Sequence, residues 1–208
     1  NGEVMVSIGG HVLVMGVQAL HLTTRPKTGD TPMVEVVWEA DTPQQVVNLP
    51  GGSLKGILEV RDQVIPEQMQ GLNTLAAQII QQVNALHSSG FGLDGTSGLP
   101  LFTGTDAITM RLNDAVTVEN LAAADAAGQP ANNGIAMAIA ALRSQSMAGL
   151  GNTSPNDYYN RQITTFGTLT QNATQNSTTH GLVAKALNDQ REAVGGVSLD
   201  EEAANLAK

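Results

Sequence analysis

The spacing of apolar positions changes once, near residue 50, and that change divides the chain. In the first 49 residues the apolar positions alternate. In EVMVSIGG, Val4, Val6 and Ile8 fall on one face of an extended strand, and Gly9-Gly10 supplies a turn. HVLVMGVQ and MVEVVWEA follow as short β-branched runs. Between them Pro26-Lys27-Thr28-Gly29-Asp30 reads as a turn-rich connection. This pattern predicts three or four antiparallel strands.

From Leu54 onward the period is helical. Leu54, Ile57/Leu58, Val64/Ile65, Met69, Leu72, Leu75/Ala76, Ile79, Val83 and Leu86 recur at steps of three and four. Ser53 is the candidate N-cap, the end falls near Gly90, and Pro66 predicts a kink or split around Asp62–Ile65. Asp94-Gly95 signals a turn and AITMRL (107–112) a strand. TVENLAAADAAG (117–128) predicts a weak helix with a Thr117-x-x-Asn120 start, and NNGIAMAIAALRSQSMAG (132–149) a stronger one.

Ser154-Pro155 opens a second long helix as an Ncap–N1 pair. Tyr159, Ile163, Phe166, Thr170, Ala173, Ser177, His180, Ala184, Leu187, Arg191 and Val194 keep a 3.5-residue spacing, the seam of a coiled-coil-like pair. Seven threonines with Gly167 and Gly181 are poor helix formers, so packing against a partner must override propensity. The helix over 53–89 is the natural partner. Helices of this length run to about 55 Å, longer than a globule of this mass is wide. Finally, Ser198-x-x-Glu201 is a capping box with Asp200, Glu201 and Glu202 in its first turn, and it announces a helix that the sequence carries only to Lys208.

The predicted fold class is α+β: an elongated helical rod on two long antiparallel helices, with a small antiparallel β-rich domain. The predicted organisation is a β-rich domain over 1–49, a long helix and loop over 50–102, a short β element with helices over 103–150, and the second long helix with the start of another over 151–208.

Composition narrows the function. The net charge is −9, from 10 Lys+Arg against 19 Asp+Glu, and the basic residues are scattered. That argues against nucleic acid and against an anionic membrane surface as partners. There is no cysteine, hence no thiolate nucleophile or metal ligand. No run of apolar residues is long enough for a membrane span, and the start at Asn1 lacks the features of a signal peptide.

Candidate chemistry is sparse. None of His11, His21, His87 and His180 shows the i, i+4 spacing of a helix-borne metal site, and each reads as a cap or core-edge residue. LDGTSG (93–98) lacks the repeated acids of a calcium loop, and the glycines of SIGGH and LPGGS lack the Lys-Ser/Thr of a phosphate loop. Asn152, Asn172 and Asn176 begin glycosylation-type triplets in an Asn/Thr-rich segment. No catalytic residue, cofactor or metal site is assigned. The enzyme reading, a hydrolase or metalloprotease, would need His11 and His21 to converge with Glu35 or Glu39.

One family resemblance gathers these features. GGSLKGILEVRDQVIPEQMQGLNTLAAQIIQQVNALHSSGFGLDGTSGLPLF resembles the middle of the bacterial flagellar hook-associated protein 1 family, the first hook–filament junction proteins. The matching positions include Gly51, Gly52, Leu54, Gly56, Arg61, Asp62, Leu72, Leu75, Asn84, His87, Gly90, Asp94, Gly95 and Phe102. ALNDQREAVGGVSLDEEAANL (186–206) resembles the segment that opens the family's C-terminal helix. The likeness is strong over about 50–102 and 155–206 and weaker elsewhere. It implies a non-catalytic structural adaptor of the extracellular flagellum, exported without a cleaved signal peptide. The implied partners are hook protein, the second junction protein, copies of itself in a ring, and an export chaperone at the C-terminal helix. A second junction protein or a flagellin-like chain is the nearest alternative. The resemblance also implies a piece without the family's terminal helices, expected to be monomeric because polymerisation contacts belong to those termini.

Overall fold

The computed structural model describes residues 5–195. The capping box at 198–201 lies outside the described residues. The fold is α+β, and it divides into two compact units, Asn1–Met69 and Gln70–Lys208.

In the first unit, β1 (Met5–Ile8), β2 (His11–Met15) and β3 (Gln18–Ala19) form an antiparallel sheet in the order β1-β2-β3. β4 (Leu22–Lys27) and β5 (Asp30–Trp38) form a separate hairpin, with Leu22 opposite Trp38 and Arg25 opposite Glu35. β4 differs from the sequence reading, which gave Pro26 and Lys27 to a connection. They belong to the strand, at a register shift that accommodates proline's missing N–H, and Gly29 at φ +86° makes the turn.

After β5 the chain returns along the hairpin, with Val47 N–H donating to Val36 O and Trp38 N–H to Gln45 O. This buries Trp38, Val47 and Leu49 against Ile8, Leu13, Leu22, Val36 and Leu58. The returning strand passes close over the first turn. A Cβ on Gly9 would lie 2.0 Å from Asn48 O, and φ there is +57°, so only glycine fits.

The first long helix is continuous but not uniform. α1 (Gly52–Glu59) leads into a π-helical turn, Val60–Val64, and then α2 (Ile65–Ser89). Pro66 cannot donate to the carbonyl four residues back. The backbone widens just before it, and Ile65 N–H reaches back to Val60 O. The irregularity predicted near 62–65 is this turn. The N-cap is Gly51, without a side-chain cap, not Ser53, which lies inside the first turn.

The unit boundary falls within α2. In the second unit α2 buries Gly71, Ala76, Ile80, Val83 and His87. Val83 joins Leu142, Met147 and Leu150 in the core, with Leu75, Ile79, Leu86, Leu101, Phe102, Ile139 and Tyr158 packed around them. Three short predictions are corrected here. AITMRL contributes only β7 (Arg111–Leu112), paired with β6 (Phe102–Thr103), because Asp106 bends residues 106–109 into a turn. TVENLAAADAAG makes one closed turn and no helix. Thr117 N–H donates to Asn120 Oδ1 and Asn120 N–H to Thr117 Oγ1, a reciprocal cap, after which Ala122 and Ala124 run extended and buried. The helix predicted over 132–149 is confined to α3 (Gly134–Ala141), followed by a 3-10 turn at Ala148–Leu150.

The Asp106 turn has an acid-sensitive bond set. The Thr109 hydroxyl first, then the backbone N–H groups of Thr109 and Ile108, hold the Asp106 carboxyl below the usual carboxylate range. A depressed folded-state value means that its contribution is full above the ordinary aspartate range (about 4). It is lost as pH falls through the lowered value. Thr109→Val should move the Asp106 midpoint back toward ordinary aspartate in an NMR titration of its carboxyl carbon; an unchanged midpoint would contradict this geometry.

α4 (Pro155–Gly195) spans 41 residues. Ser154 caps it as read from the sequence: Asp157 N–H donates to Ser154 Oγ at 3.1 Å, and the Ser154 hydroxyl donates to Asp157 Oδ2 at 2.7 Å. Tyr158 packs on the core and Gln162 lies against Gly71. From Ile163 to Ala193 every side chain is exposed. Six threonine hydroxyls in this stretch bond back to the carbonyl four residues earlier, which satisfies them without a partner. Both long helices are present. The seam predicted along α4, however, is solvent-facing from Ile163 to Arg191.

Candidate functional site

Two arrangements draw on the residues that carried the family resemblance. The first is a clasp at the end of α2. Asn84 and His87 are three residues apart and so share a helix face. The Asn84 side-chain amide donates to Phe102 O at 2.9 Å, and its oxygen accepts from Phe102 N–H at 2.8 Å. His87 is 1% exposed. Its Nε2 accepts from Ala122 N–H at 3.0 Å, so the ring proton sits on Nδ1, 2.6 Å from the Leu99 carbonyl it serves. One turn of helix thus supplies hydrogen-bond partners for two short segments, 99–102 and the stretch at Ala122.

Gly90 closes the clasp: a Cβ there would meet Ile135 Cγ1 at 2.6 Å and Ala124 O at 3.0 Å. Phe91 and Ala124 exchange backbone hydrogen bonds beside it. Asp94 Oδ1 accepts from Thr96 N–H, which makes the acidic glycine loop a capped turn.

The second arrangement lies at the π-helical turn. Arg61 binds Asp62 through Nε at 2.6 Å and a terminal nitrogen at 3.0 Å, and also donates to Val34 O at 2.7 Å. Lys27 Nζ stands 4.0 Å from Asp62. The Arg61 hydrogen bond holds the Asp62 carboxyl below its usual range. The Arg-Asp pair of the resemblance therefore ties the β4–β5 hairpin to the helix at its irregular turn.

The chemistry candidates do not assemble. His11 stacks on Trp38, ring centroids 5.4 Å apart. Glu35 is engaged by Arg25 at 2.7 Å. His21 and Glu39 are exposed, joined only by a backbone hydrogen bond from Glu39 N–H to His21 O. His180 is exposed on α4. Among the described residues no three His, Asp or Glu side chains lie together as a metal site, and no helix is long and apolar enough to cross a membrane. Asn172 and Asn176 are exposed on α4, while Asn152 sits in a turn at φ +57°.

What the molecule does present is apolar helix surface. On α1 and the following turns Ile57 is 64% exposed, with Leu54, Val60, Ile65 and Met69 also open. On α4 Ile163 is 55% and Leu187 60% exposed, with Phe166, Leu169 and Val183 open as well. Isolated exposed apolar residues are ordinary, but rows of them at helical spacing mark surfaces built for contact. The sequence reading named most of these residues and assigned them to the apolar stripe of one long helix and the helix–helix seam of the other. It missed the Asn84–Phe102 and His87–Ala122 bonds, for which a spacing of three on one helix face was the only signal.

Residues 1–102 match the family model described as the flagellar hook-associated protein FlgK helical domain. The match takes in residues 1–49, where the sequence reading found the likeness weak. Two curated relatives, the flagellar hook-associated protein 1 of Salmonella typhimurium and that of Salmonella typhi, are each 28% identical over 121 residues. The alignment covers 55% of this chain and 22% of each relative, so the chain spans about a fifth of their length. The clasp residues Asn84 and His87 and the Arg61-Asp62 pair all fall inside the matched range. The chain is FlgK-like, carrying over residues 1–102 the helical-domain pattern of the flagellar hook-associated proteins.

Proposed function

We propose that this chain is the outer part of a structural adaptor that joins hook to filament in the bacterial flagellum. It works by packing of subunits and not by turnover of a substrate. The observation that carries the reading is the pair of apolar helix faces exposed among the described residues, one on α1 and its continuation and one on α4, in a chain with a FlgK-like sequence. A structural protein keeps such faces for assembly; an enzyme would need converging polar groups, and His11, His21, Glu35 and Glu39 are otherwise engaged or apart.

In the assembled flagellum the two long helices run as an antiparallel rod whose open faces are covered by neighbouring axial helices. The β-rich segment 1–49 forms an outer domain and 103–150 an outer insertion. The partners are hook protein, the second junction protein and copies of the same protein in a ring, with an export chaperone binding before assembly. The site of action is extracellular. Charging these faces tests the reading. In the full-length protein, Ile57→Glu with Phe166→Glu should abolish motility in a strain lacking the native protein while export continues, because both sites are exposed. Normal swimming by that variant would overturn the proposal.

A further inference from the structure

We infer that Asn133 is a site of spontaneous modification: its side-chain amide deamidates through attack by the Gly134 backbone nitrogen, and the Asn132 side chain sets the rate. This concerns the chemistry of the chain itself and goes beyond the junction role.

Asn133-Gly134 is the only asparagine–glycine pair between residues 5 and 195. Glycine matters because it has no Cβ to shield its nitrogen or to restrict its backbone. The packing keeps it there. A Cβ on Gly134 would run into the Asp125 carboxylate, whose Cγ would lie 2.7 Å away. The contact that fixes the glycine therefore also fixes the reactive pair.

The Asn133 amide is left over from the fold. Asn133 is the N-cap residue of α3, yet its side chain makes no capping hydrogen bond and is exposed. The donors it could have served are already taken. Gly134 N–H donates to Asn132 Oδ1 at 2.8 Å. Ile135 and Ala136 N–H donate to Ala123 O at 3.0 and 3.3 Å. Asn132, by contrast, is used on both sides, since its amide also donates to Asp125 Oδ1 at 2.7 Å and Gln129 Oε1 at 2.9 Å.

The step is a ring closure. Gly134 N attacks Asn133 Cγ and a carbon–nitrogen bond forms. The bond from Cγ to the amide nitrogen breaks, and ammonia leaves with the proton that Gly134 N carried. Water then opens the cyclic imide at either carbonyl. One opening gives aspartate, the other isoaspartate, in which the main chain runs through the side-chain carbon. Nothing is oxidised or reduced, and water is the only reagent consumed.

The folded chain restrains this closure. At the Asn133 ψ of 23° the Gly134 nitrogen lies across the Cα–C bond from Cβ, and its N–H is held by Asn132. Closure passes through opening of the first turn of α3, so the rate follows the population of the opened turn. Asn132 acts as a positioning residue. The product reaches the core as well. Met137 N–H donates to Asn133 O at 2.9 Å, and Ile135 is buried where a Cβ on Gly90 would meet it. The extra main-chain carbon of isoaspartate displaces that start of the helix.

Peptide mapping by mass spectrometry tests this on the 208-residue chain, incubated at mildly alkaline pH in buffer and in urea. Conversion of amide to acid should accumulate at position 133, more slowly in buffer than in urea. Asn132→Ala should raise the rate in buffer by about two- to tenfold, the factor one hydrogen bond controls, and leave the rate in urea unchanged. No conversion at 133 in buffer, equal rates in buffer and urea for the unaltered chain, or an unchanged rate in the folded Asn132→Ala chain would overturn the inference.

Discussion

His87→Ala is expected to destabilise the second unit by about 3–5 kcal/mol, read as a lowered urea midpoint. The side chain is almost fully buried and both of its nitrogens are used. Truncation leaves Leu99 O and Ala122 N–H without partners, at about 1–3 kcal/mol each, and opens a cavity next to Ala122. Against a total stability of about 5–15 kcal/mol this is a large share. The loss should be local in character: amide protection should fall first at 99–102 and 120–124, the segments the clasp holds. Asn84→Ala should give the same pattern with a smaller loss, since Asn84 serves Phe102 alone. A His87→Ala chain as stable as the parent would mean that the clasp is not a source of stability.

The second large effect belongs to the first unit. Trp38→Ala removes the largest side chain of a small core and should cost about 3–5 kcal/mol. Trp38→Phe should cost far less, about 1 kcal/mol. The indole Nε1 is buried without a hydrogen-bond partner, so phenylalanine removes an unsatisfied donor along with the extra ring volume. His11 keeps an aromatic surface to stack on. Circular dichroism melts of the two variants, side by side, would show whether ring volume or the indole nitrogen matters. Equal losses would contradict the assignment.

Much of this architecture was legible before any coordinates. The change of period near residue 50 is real: β1 to β5 end at Trp38, and the first long helix begins at Gly52. Ser154-Pro155 and Asp94-Gly95 were readable since each acts through its immediate neighbours. Other features depend on distant partners. TVENLAAADAAG has the cap and composition of a helix, yet Ala122 N–H is claimed by His87 and Ala124 by Phe91, and those tertiary bonds leave one turn. β4 was hidden because Pro26 and Lys27 read as part of a connection, while Arg25 beside them pairs with Glu35 across the hairpin.

The α4 seam shows the reverse error. The helix is present, and the inference that its 3.5-residue period implies a partner within the same chain was not met among the described residues beyond Gln162. The threonine back-bonds explain how so poor a helix-forming stretch satisfies its hydroxyls. The candidate site was legible only as a set of positions shared with a family. Why Asn84 and His87 belong to that set became clear only from the two segments they hold.

The most direct test of the central claim, that this is an assembly part, is end-binding. The full-length protein containing this chain should be added to isolated hooks and visualised by electron microscopy. The account predicts caps of added density at the distal hook end, and their loss when Ile57 and Phe166 are replaced by glutamate. Hooks that remain bare with the unaltered, folded protein would contradict it.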